Sequence, residues 1–282
     1  MVRWVLVSWD QHHTGWNLVV QQCSSNSYQR SNQRVARAFS ILEILVCITI
    51  VAILVSLLLP VLTRVRETGY SAVCASNLRQ INMGFEGYLG DNRGIFPALA
   101  VDPEWNYGGV VFAGLDHHPV LDTARPINVY IGAFAQDTER PSAALHFRCP
   151  ADAGITKRND SSPRRSRSST LANGTCFREF GTSYRANPLL FNSTLAGIDH
   201  QSRPLARQDL QVNESRLLLL ADAGWWYRSP RASESDRQFE ASWHLRPDAG
   251  NMLAADGSVH FVSFDPANED AATAYTIEPR PR

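Results

Sequence analysis

Three side chains in the C-terminal third of the chain are of types that could form a functional site: Asp222, His244 and Asp256. A histidine and two carboxylates could ligate a metal ion or act as general acid and base. The simpler interpretation, which we favour, is that Asp256 forms a turn, Asp222 ends a strand and His244 hydrogen-bonds within the fold. The chain has no GxSxG, HExxH, P-loop or GxGxxG motif, so we expect that it is not an enzyme. An anchored hydrolase that uses His244 and an Asp is the least favoured hypothesis.

The cysteines and the carboxylates give only weak indications of a disulfide or a cofactor. None of the five cysteines stands in a CxxC pair, which argues against a zinc site. Cys74, Cys149 and Cys176 could pair in an oxidising compartment, and the sequence alone leaves all three pairings open. Oxygen ligands on a loop could hold calcium, but no regular ligand spacing is present. We therefore expect no cofactor, and calcium is the alternative.

Glu43 is the only ionisable residue in an apolar run that covers residues 39–62. At about 1.5 Å per residue this run is roughly 36 Å long, enough to cross the ~30 Å hydrocarbon core of a bilayer. An unpaired carboxylate there costs about 2 kcal/mol or more. Either Glu43 lies close enough to the interface to stay hydrated, or it finds a cationic partner inside the membrane.

The composition and the flanking charges set the expected location. The chain has 282 residues, of which 44% are hydrophobic, too many for a disordered protein. Because 27 basic and 27 acidic residues cancel, no net charge would recruit nucleic acid. Three arginines precede the apolar run and two follow it, which favours a single pass with a cytoplasmic N-terminus and an external C-terminal part. These are Arg30, Arg34 and Arg37 before the run, and Arg64 and Arg66 after it.

The segment RVARAFSILEILVCITIVAILVSLLLP resembles the processing site of type IV prepilins and type II secretion pseudopilins. Ala38 stands where that family usually has Gly, Phe39 would be the first mature residue, and Pro60 matches a helix-kinking proline of many members. The resemblance implies cleavage between Ala38 and Phe39 by a prepilin peptidase, followed by N-methylation of Phe39. The new ammonium group on one copy could then pair with Glu43 of a neighbouring copy, which would fix the axial register of the two helices.

Patches of the remaining chain resemble large pseudopilin-like proteins with a C-terminal H-X9-DG region, abundant in Planctomycetes-type bacteria. In this chain eleven residues, not nine, separate His244 from Asp256 and Gly257, which argues against a role that needs tight His–Asp geometry. Cys74 and Cys149 both lie in such patches, so the resemblance favours their pairing. Some major pseudopilins carry calcium. The patches are VCASNLRQINMGFEGYLGDNRGIFP, FRCPAD, SYRANPLL, LLLLADA and NMLAADGSVHFV.

The predicted architecture is an α+β, pilin-like fold in which one long N-terminal helix packs on a mostly antiparallel sheet. Residues 1–38 are interpreted as a flexible or mis-started leader, 39–62 as the transmembrane half of the helix, 63–90 as its amphipathic half and 91–282 as an extracytoplasmic head. An apolar stripe marks the second half of the helix, at Cys74, Leu78, Ile81, Phe85 and Tyr88. Strands are expected at 109–113, 127–131, 144–149, 182–186 and 217–222, the last at the sheet centre. Residues 251–262 are expected to form a type I′ hairpin around Asp256-Gly257.

Two functional hypotheses carry the most weight. The first is a structural subunit in the inner membrane that forms a homo- or hetero-polymer with other pseudopilins in a filament of the type II secretion or type IV pilus kind. The alternative is a permanently anchored module that binds a glycan, a protein or calcium and does not polymerise. For that module the aromatic residues Trp225, Trp226, Tyr227 and Trp243 could form a sugar platform, or they could simply be core. The arginine-rich stretch 161–170 is interpreted as a solvated loop.

Overall fold

The computed structural model describes residues 7–12, 15–20, 40–99, 102–113, 118–121, 125–132, 143–157, 171, 174–241, 243–244, 249–264 and 275–280. The chain divides into two compact units, Met1–Val55 and Ser56–Arg282. Ala38, Phe39 and the arginine-rich stretch 161–170 lie outside the described residues.

The first unit contains an antiparallel hairpin of strands β1 (Val7–His12) and β2 (Gly15–Val20), with Trp9 opposite Leu18. Residues 1–38 were interpreted as a leader with no assigned secondary structure, so the sequence analysis did not predict these two strands. Its strands are rich in valine and tryptophan, which favour extended structure, and only two residues connect them. The unit also includes the start of helix α1 (Ile41–Asp91).

Helix α1 has 51 residues and runs through Pro60 without interruption. At about 1.5 Å per residue it is roughly 77 Å long. Residues 41–66 are exposed throughout. Among the described residues, α1 is the one helix long and apolar enough to cross a membrane. The predicted long apolar helix is therefore present.

The second half of α1 buries one stripe, as the periodicity predicted, although Leu89 replaces Tyr88 as its last buried member. Gly84 lies within this stripe. A Cβ there would come within 2.7 Å of the side chains of Ile127 and Ile131, so the missing side chain lets this segment approach the helix. The buried members are Cys74, Asn77, Leu78, Ile81, Gly84, Phe85 and Leu89.

The main sheet has four antiparallel strands in the order β10–β9–β7–β6. The interior strand β7 is buried at all five residues, which its continuous apolar sequence predicted. Two smaller sheets pair β3 with β4 and β5 with β8. The α+β layout is thus confirmed, whereas its likeness to a pilin stays a prediction. The strands are β3 (Val110–Ala113), β4 (His118–Leu121), β5 (Thr156–Lys157), β6 (Tyr184–Ala186), β7 (Leu218–Asp222), β8 (Phe239–Glu240), β9 (Ala249–Ala254) and β10 (Val259–Ser263).

Two of the predicted strands are wrong. In place of strands at 127–131 and 144–149, the structure has the 3-10 helices Asn128–Ile131 and Ala143–Phe147. Short apolar runs do not distinguish a strand from a helical turn, so packing decides between them. The other helices are α2 (Cys176–Phe180) and the 3-10 turns Pro188–Leu190, Arg207–Asp209, Ala223–Arg228 and Asp236–Gln238.

The hairpin β9–β10 forms where it was predicted, but its turn is not type I′. A type I′ turn needs a positive φ at both central residues, whereas here Gly257 (φ 88°) takes one and Asp256 does not. The Ala254 amide donates to Ser258 O at 2.9 Å, and the Gly257 amide donates to Ala254 O at 3.0 Å. This is a three-residue loop with glycine in the left-handed position.

Candidate functional site

A disulfide joins Cys74 of α1 to Cys149, with 5.2 Å between the two Cα atoms. This is the pair that the sequence resemblance favoured, and Cys176 is a free, buried cysteine. Neighbouring hydrogen bonds hold both ends of the bridge. Asn77 Nδ2 donates to Arg148 O at 2.9 Å, and the Cys149 amide donates to Ser183 Oγ at 3.0 Å. The bridge therefore fixes α1 against the segment that precedes β5.

Asp222 and His244 meet beside this disulfide. Asp222 is the last residue of β7, and its Oδ2 lies 3.3 Å from His244 Nε2. The same oxygen accepts from the Asn251 amide of β9 at 2.7 Å. A Cβ at Gly250 would lie 2.7 Å from Asp222 Oδ2, so glycine at this position makes room for the carboxylate.

His244 reaches this position through a strained backbone. Its φ of 55° lies in the left-handed region, which costs a non-glycine residue about 1 kcal/mol or more. Its Nε2 faces Cys149 Sγ at 3.5 Å and Asn251 Nδ2 at 3.4 Å. Strain of this kind persists only where surrounding contacts hold the residue in place.

The four side chains of Cys74, Cys149, Asp222 and His244 form one buried group, hereafter the sulfur–histidine cluster. One metal-ligating atom from each lies within 4.8 Å of the other three. The side chains of Asp222 and His244 are each only 1% exposed. Among the described residues, neither Asp222 Oδ1 nor His244 Nδ1 has a hydrogen-bond partner. A buried polar atom left unpaired costs about 1–3 kcal/mol, so this cluster is polar and incompletely satisfied.

Asp256 is not part of this cluster. Its carboxylate is exposed and accepts from the amide and hydroxyl of Ser258, at 2.9 and 2.7 Å. The structure therefore separates the three residues of the candidate site: His244 pairs with Asp222, while Asp256 shapes the turn. The simpler interpretation is correct for the two aspartates, because Asp256 forms a turn and Asp222 ends a strand. His244, however, joins a buried cluster with two cysteines that the sequence spacing did not predict.

The Asp256-Gly257 turn serves to dock the hairpin on α1. A Cβ at Gly257 would lie 2.6 Å from Asn82 Nδ2 of the helix, so a side chain there would displace the Asn82 side chain as well as strain the backbone. Arg207 completes the contact, because its Nη2 donates to Ala255 O at 2.9 Å and to Glu86 Oε1 of α1 at 2.7 Å. The C-terminal signature thus has a structural role in the described residues.

Asp152 is a half-buried carboxylate that the sequence analysis missed. It accepts from the amides of Gly154, Cys176 and Phe177 at 2.8–3.1 Å and from Ser183 Oγ at 2.7 Å. Burial raises its pKa, while these four donors act in the opposite direction. Asp152 therefore ties the start of α2 to Ser183, the residue before β6. Its place in the FRCPAD patch was the signal that could have identified it.

Glu43 has a local partner that the sequence analysis also missed. Its Oε2 accepts from the Ser40 amide at 2.9 Å, and Ser40 Oγ accepts from the Leu42 amide at 3.1 Å. The sequence Ser-Ile-Leu-Glu has the capping-box spacing, which could have predicted this helix start. The capping contact satisfies one amide but brings no positive charge to the carboxylate.

The aromatic residues do not form an open sugar platform. Trp225, Tyr227 and Trp243 are buried, and the half-buried Trp226 ring carries the Arg185 guanidinium at 4.4 Å from its centroid. The face of Trp226 is thus occupied by a side chain of the same molecule. The core interpretation of these aromatics is the correct one.

Comparison of the chain with family models, with curated proteins and with solved structures finds no match.

Proposed function

We propose that this chain is a membrane-anchored, pseudopilin-like structural subunit, processed between Ala38 and Phe39, that assembles into a filament of the type II secretion or type IV pilus kind. Its partners are the prepilin peptidase, the inner membrane and other pseudopilins. The N-terminus is cytoplasmic and the C-terminal head is periplasmic. The role is structural and needs no catalysis.

The observation that carries this proposal is the contrast between the two halves of α1. Residues 41–66 are exposed although most are Leu, Ile or Val, with Leu57 65% and Ile53 61% exposed. An apolar surface this long exceeds the patches that soluble monomers expose, so it needs a cover of lipid or of other helices. From Cys74 onward the same helix is instead covered by its own chain.

Glu43 is the residue that distinguishes assembly from simple anchoring. Its capping bond to Ser40 uses one carboxylate oxygen and leaves the negative charge unneutralised. In a medium of low dielectric, a cation on an adjoining helix offsets part of the desolvation cost, and the pair sets the register of the two helices. The terminal ammonium group that cleavage would create at Phe39 is such a cation.

Three variants separate the charge of Glu43 from its capping role. Glu43→Gln keeps an acceptor for the Ser40 amide and removes the charge, and Ser40→Ala weakens the cap and keeps the charge. We expect Glu43→Gln and Glu43→Ala to insert in the membrane and to lose the ladder of formaldehyde-crosslinked oligomers, and Ser40→Ala to retain it. A normal ladder from Glu43→Gln would show that no charge pair drives assembly.

Mass spectrometry of the mature protein tests the processing step itself. The expected N-terminus is methylated Phe39, because only cleavage at that bond creates the required amine. Recovery of the protein with residues 1–38 attached would refute processing, whatever the crosslinking result.

A further inference from the structure

The sulfur–histidine cluster has the donor set of a zinc site. We propose that the head, when Cys74 and Cys149 are reduced, binds one zinc-class divalent cation through their two sulfurs, an Asp222 carboxylate oxygen and His244 Nε2. Zinc combines sulfur, imidazole and carboxylate ligands in closed tetrahedral sites. Calcium prefers oxygen ligands alone, so this cluster selects against it.

Two edges of the required tetrahedron already exist. Zinc lies about 2.0–2.2 Å from nitrogen or oxygen and about 2.3 Å from sulfur, so a tetrahedral site has an N–O edge of about 3.4 Å and an N–S edge of about 3.6 Å. The His244 Nε2–Asp222 Oδ2 distance is 3.3 Å, and the His244 Nε2–Cys149 Sγ distance is 3.5 Å. All four ligand atoms lie within 4.8 Å of one another, and the two sulfur atoms, now bonded, must separate.

The surroundings of the cluster also suit a cation. Asp222 is a buried carboxylate whose Oδ1 has no hydrogen-bond partner among the described residues, and a cation bound at Oδ2 would offset the cost of burying its charge. The backbone amide of Asn251 already donates to Oδ2, which orients this carboxylate as outer-sphere partners of metal ligands do. The His244 ring already faces the cluster without an ion, with Nε2 close to both Asp222 Oδ2 and Cys149 Sγ.

The disulfide and the metal site exclude each other chemically. Binding of Zn²⁺ by the two thiols gives two metal–thiolate bonds and releases two protons to solvent. Oxidation of the thiolates by a disulfide donor forms the Cys74–Cys149 bond, reduces the donor to a dithiol and expels the ion. Either state links α1 to the same edge of the head.

The sequence named Asp222 and His244 as possible metal ligands but did not join them to the two cysteines, because no two of the four residues are close in the chain. The two cysteines alone are 75 residues apart. A spacing search finds zinc sites whose ligands come in short pairs. Here the fold brings together a helix, the segment after a 3-10 turn, a strand end and a loop.

The test uses the full-length chain in detergent, with and without reduction by a phosphine. The phosphine takes oxygen from water to become a phosphine oxide, and the disulfide becomes two thiols. After excess zinc is removed by gel filtration, we expect one zinc ion per reduced chain and none per oxidised chain by elemental mass spectrometry. Cobalt substitution should give the visible bands of tetrahedral Co²⁺ together with a thiolate charge-transfer band.

Variants assign the ligands. Cys149→Ser and His244→Gln should reduce the zinc content or weaken binding at least tenfold, while Cys176→Ser and the exposed-site control His260→Gln should bind as the wild type does. Because His244→Gln can disturb folding, its oxidised form is first compared with the wild type by thermal unfolding. The cobalt spectrum of the wild type needs no variant.

Three results would overturn the proposal. The first is equal zinc content in the reduced and oxidised wild type. The second is a cobalt spectrum without a thiolate band. The third is unchanged zinc affinity in a folded His244→Gln or Cys149→Ser chain, which would place the ion elsewhere.

Discussion

Breaking the Cys74–Cys149 disulfide should lower the free energy of unfolding of the head by about 4.5 kcal/mol. The bridge closes a loop of 75 residues. With the chain-entropy relation for cross-links, a loop of this length restricts the unfolded chain by about 15 cal/mol/K, or about 4.5 kcal/mol at 25 °C. This is a large share of the stability of an ordinary domain, about 5–15 kcal/mol. The oxidised head should therefore be much more stable than the reduced head.

The assay is urea unfolding of the full-length protein in detergent, followed by tryptophan fluorescence, with the oxidised and reduced forms in parallel. An m-value of about 3 kcal/mol per molar urea converts the loss into a midpoint lowered by roughly 1.5 M. A chelator must be present in the reduced sample, since bound zinc would restore part of the stability. Cys176→Ser is the matched control, because it removes a buried thiol and leaves the bridge intact.

Equal midpoints for the oxidised and reduced forms would refute this reasoning. That result would mean that the unfolded chain keeps the two cysteines close without the bond, or that the bonded native state is strained by as much as the bond contributes. A lower midpoint in Cys176→Ser that equals the loss on reduction would instead point to general sensitivity to cysteine chemistry.

Two further substitutions test the packing of the head. Gly181→Ala should cost more than about 3 kcal/mol of unfolding free energy, because its φ is +80° and its Cβ would lie 1.5 Å from Val110 O. Gly132→Ala, at φ +72° with open space, should cost only about 1 kcal/mol, and similar losses in both would exclude the clash. Asp152→Asn should cost about 1–3 kcal/mol in denaturant unfolding at neutral pH, since the NH2 group that replaces Oδ2 cannot accept from the Phe177 amide and the Ser183 hydroxyl. Because burial raises the Asp152 pKa, the folded state holds this proton more tightly than the unfolded state does. The free energy of unfolding of the wild type, relative to that of Asp152→Asn, should therefore fall as pH rises from about 3.9 through the raised pKa. A difference between the two proteins that does not change with pH over this interval would contradict the prediction.

Long, regular patterns in the sequence predicted the elements that they encode locally. The apolar run and the 3.6-residue stripe of α1 are visible without any partner, and so is the continuous apolar sequence of β7. The prediction of strands at 127–131 and 144–149 was wrong because tertiary packing determines the local structure of these short segments. Ile127 and Ile131 are four residues apart and both reach Gly84, which a helical turn allows and an extended strand does not.

The candidate site was predictable only in its parts. His244, Asp222, Cys74 and Cys149 could each be named from residue type, but their meeting depends on how β7, the loop before β9 and α1 pack together. The sequence grouped His244 with Asp222 and Asp256 as one candidate site, although the favoured interpretation placed Asp256 in a turn. In the fold, β9 runs from the His244 side of the sheet to the turn that holds Asp256. The carboxylate that lies next to His244 is therefore Asp222, at the end of the neighbouring strand β7.

In the filament role proposed above, the head would have to stay attached to α1 under tension. Cys74 is the first buried residue of the helix, so the bridge holds α1 where coverage by the head begins. The other polar attachments include Glu86 with Arg207, whose side chains are 43% and 33% exposed, and such ion pairs contribute about 1 kcal/mol or less. A helix held only by such contacts and an apolar stripe could slide by a turn under tension. A disulfide, or a metal ion bound by the same residues, would prevent this sliding, because it attaches the helix to the head at Cys74, where the buried part of α1 begins.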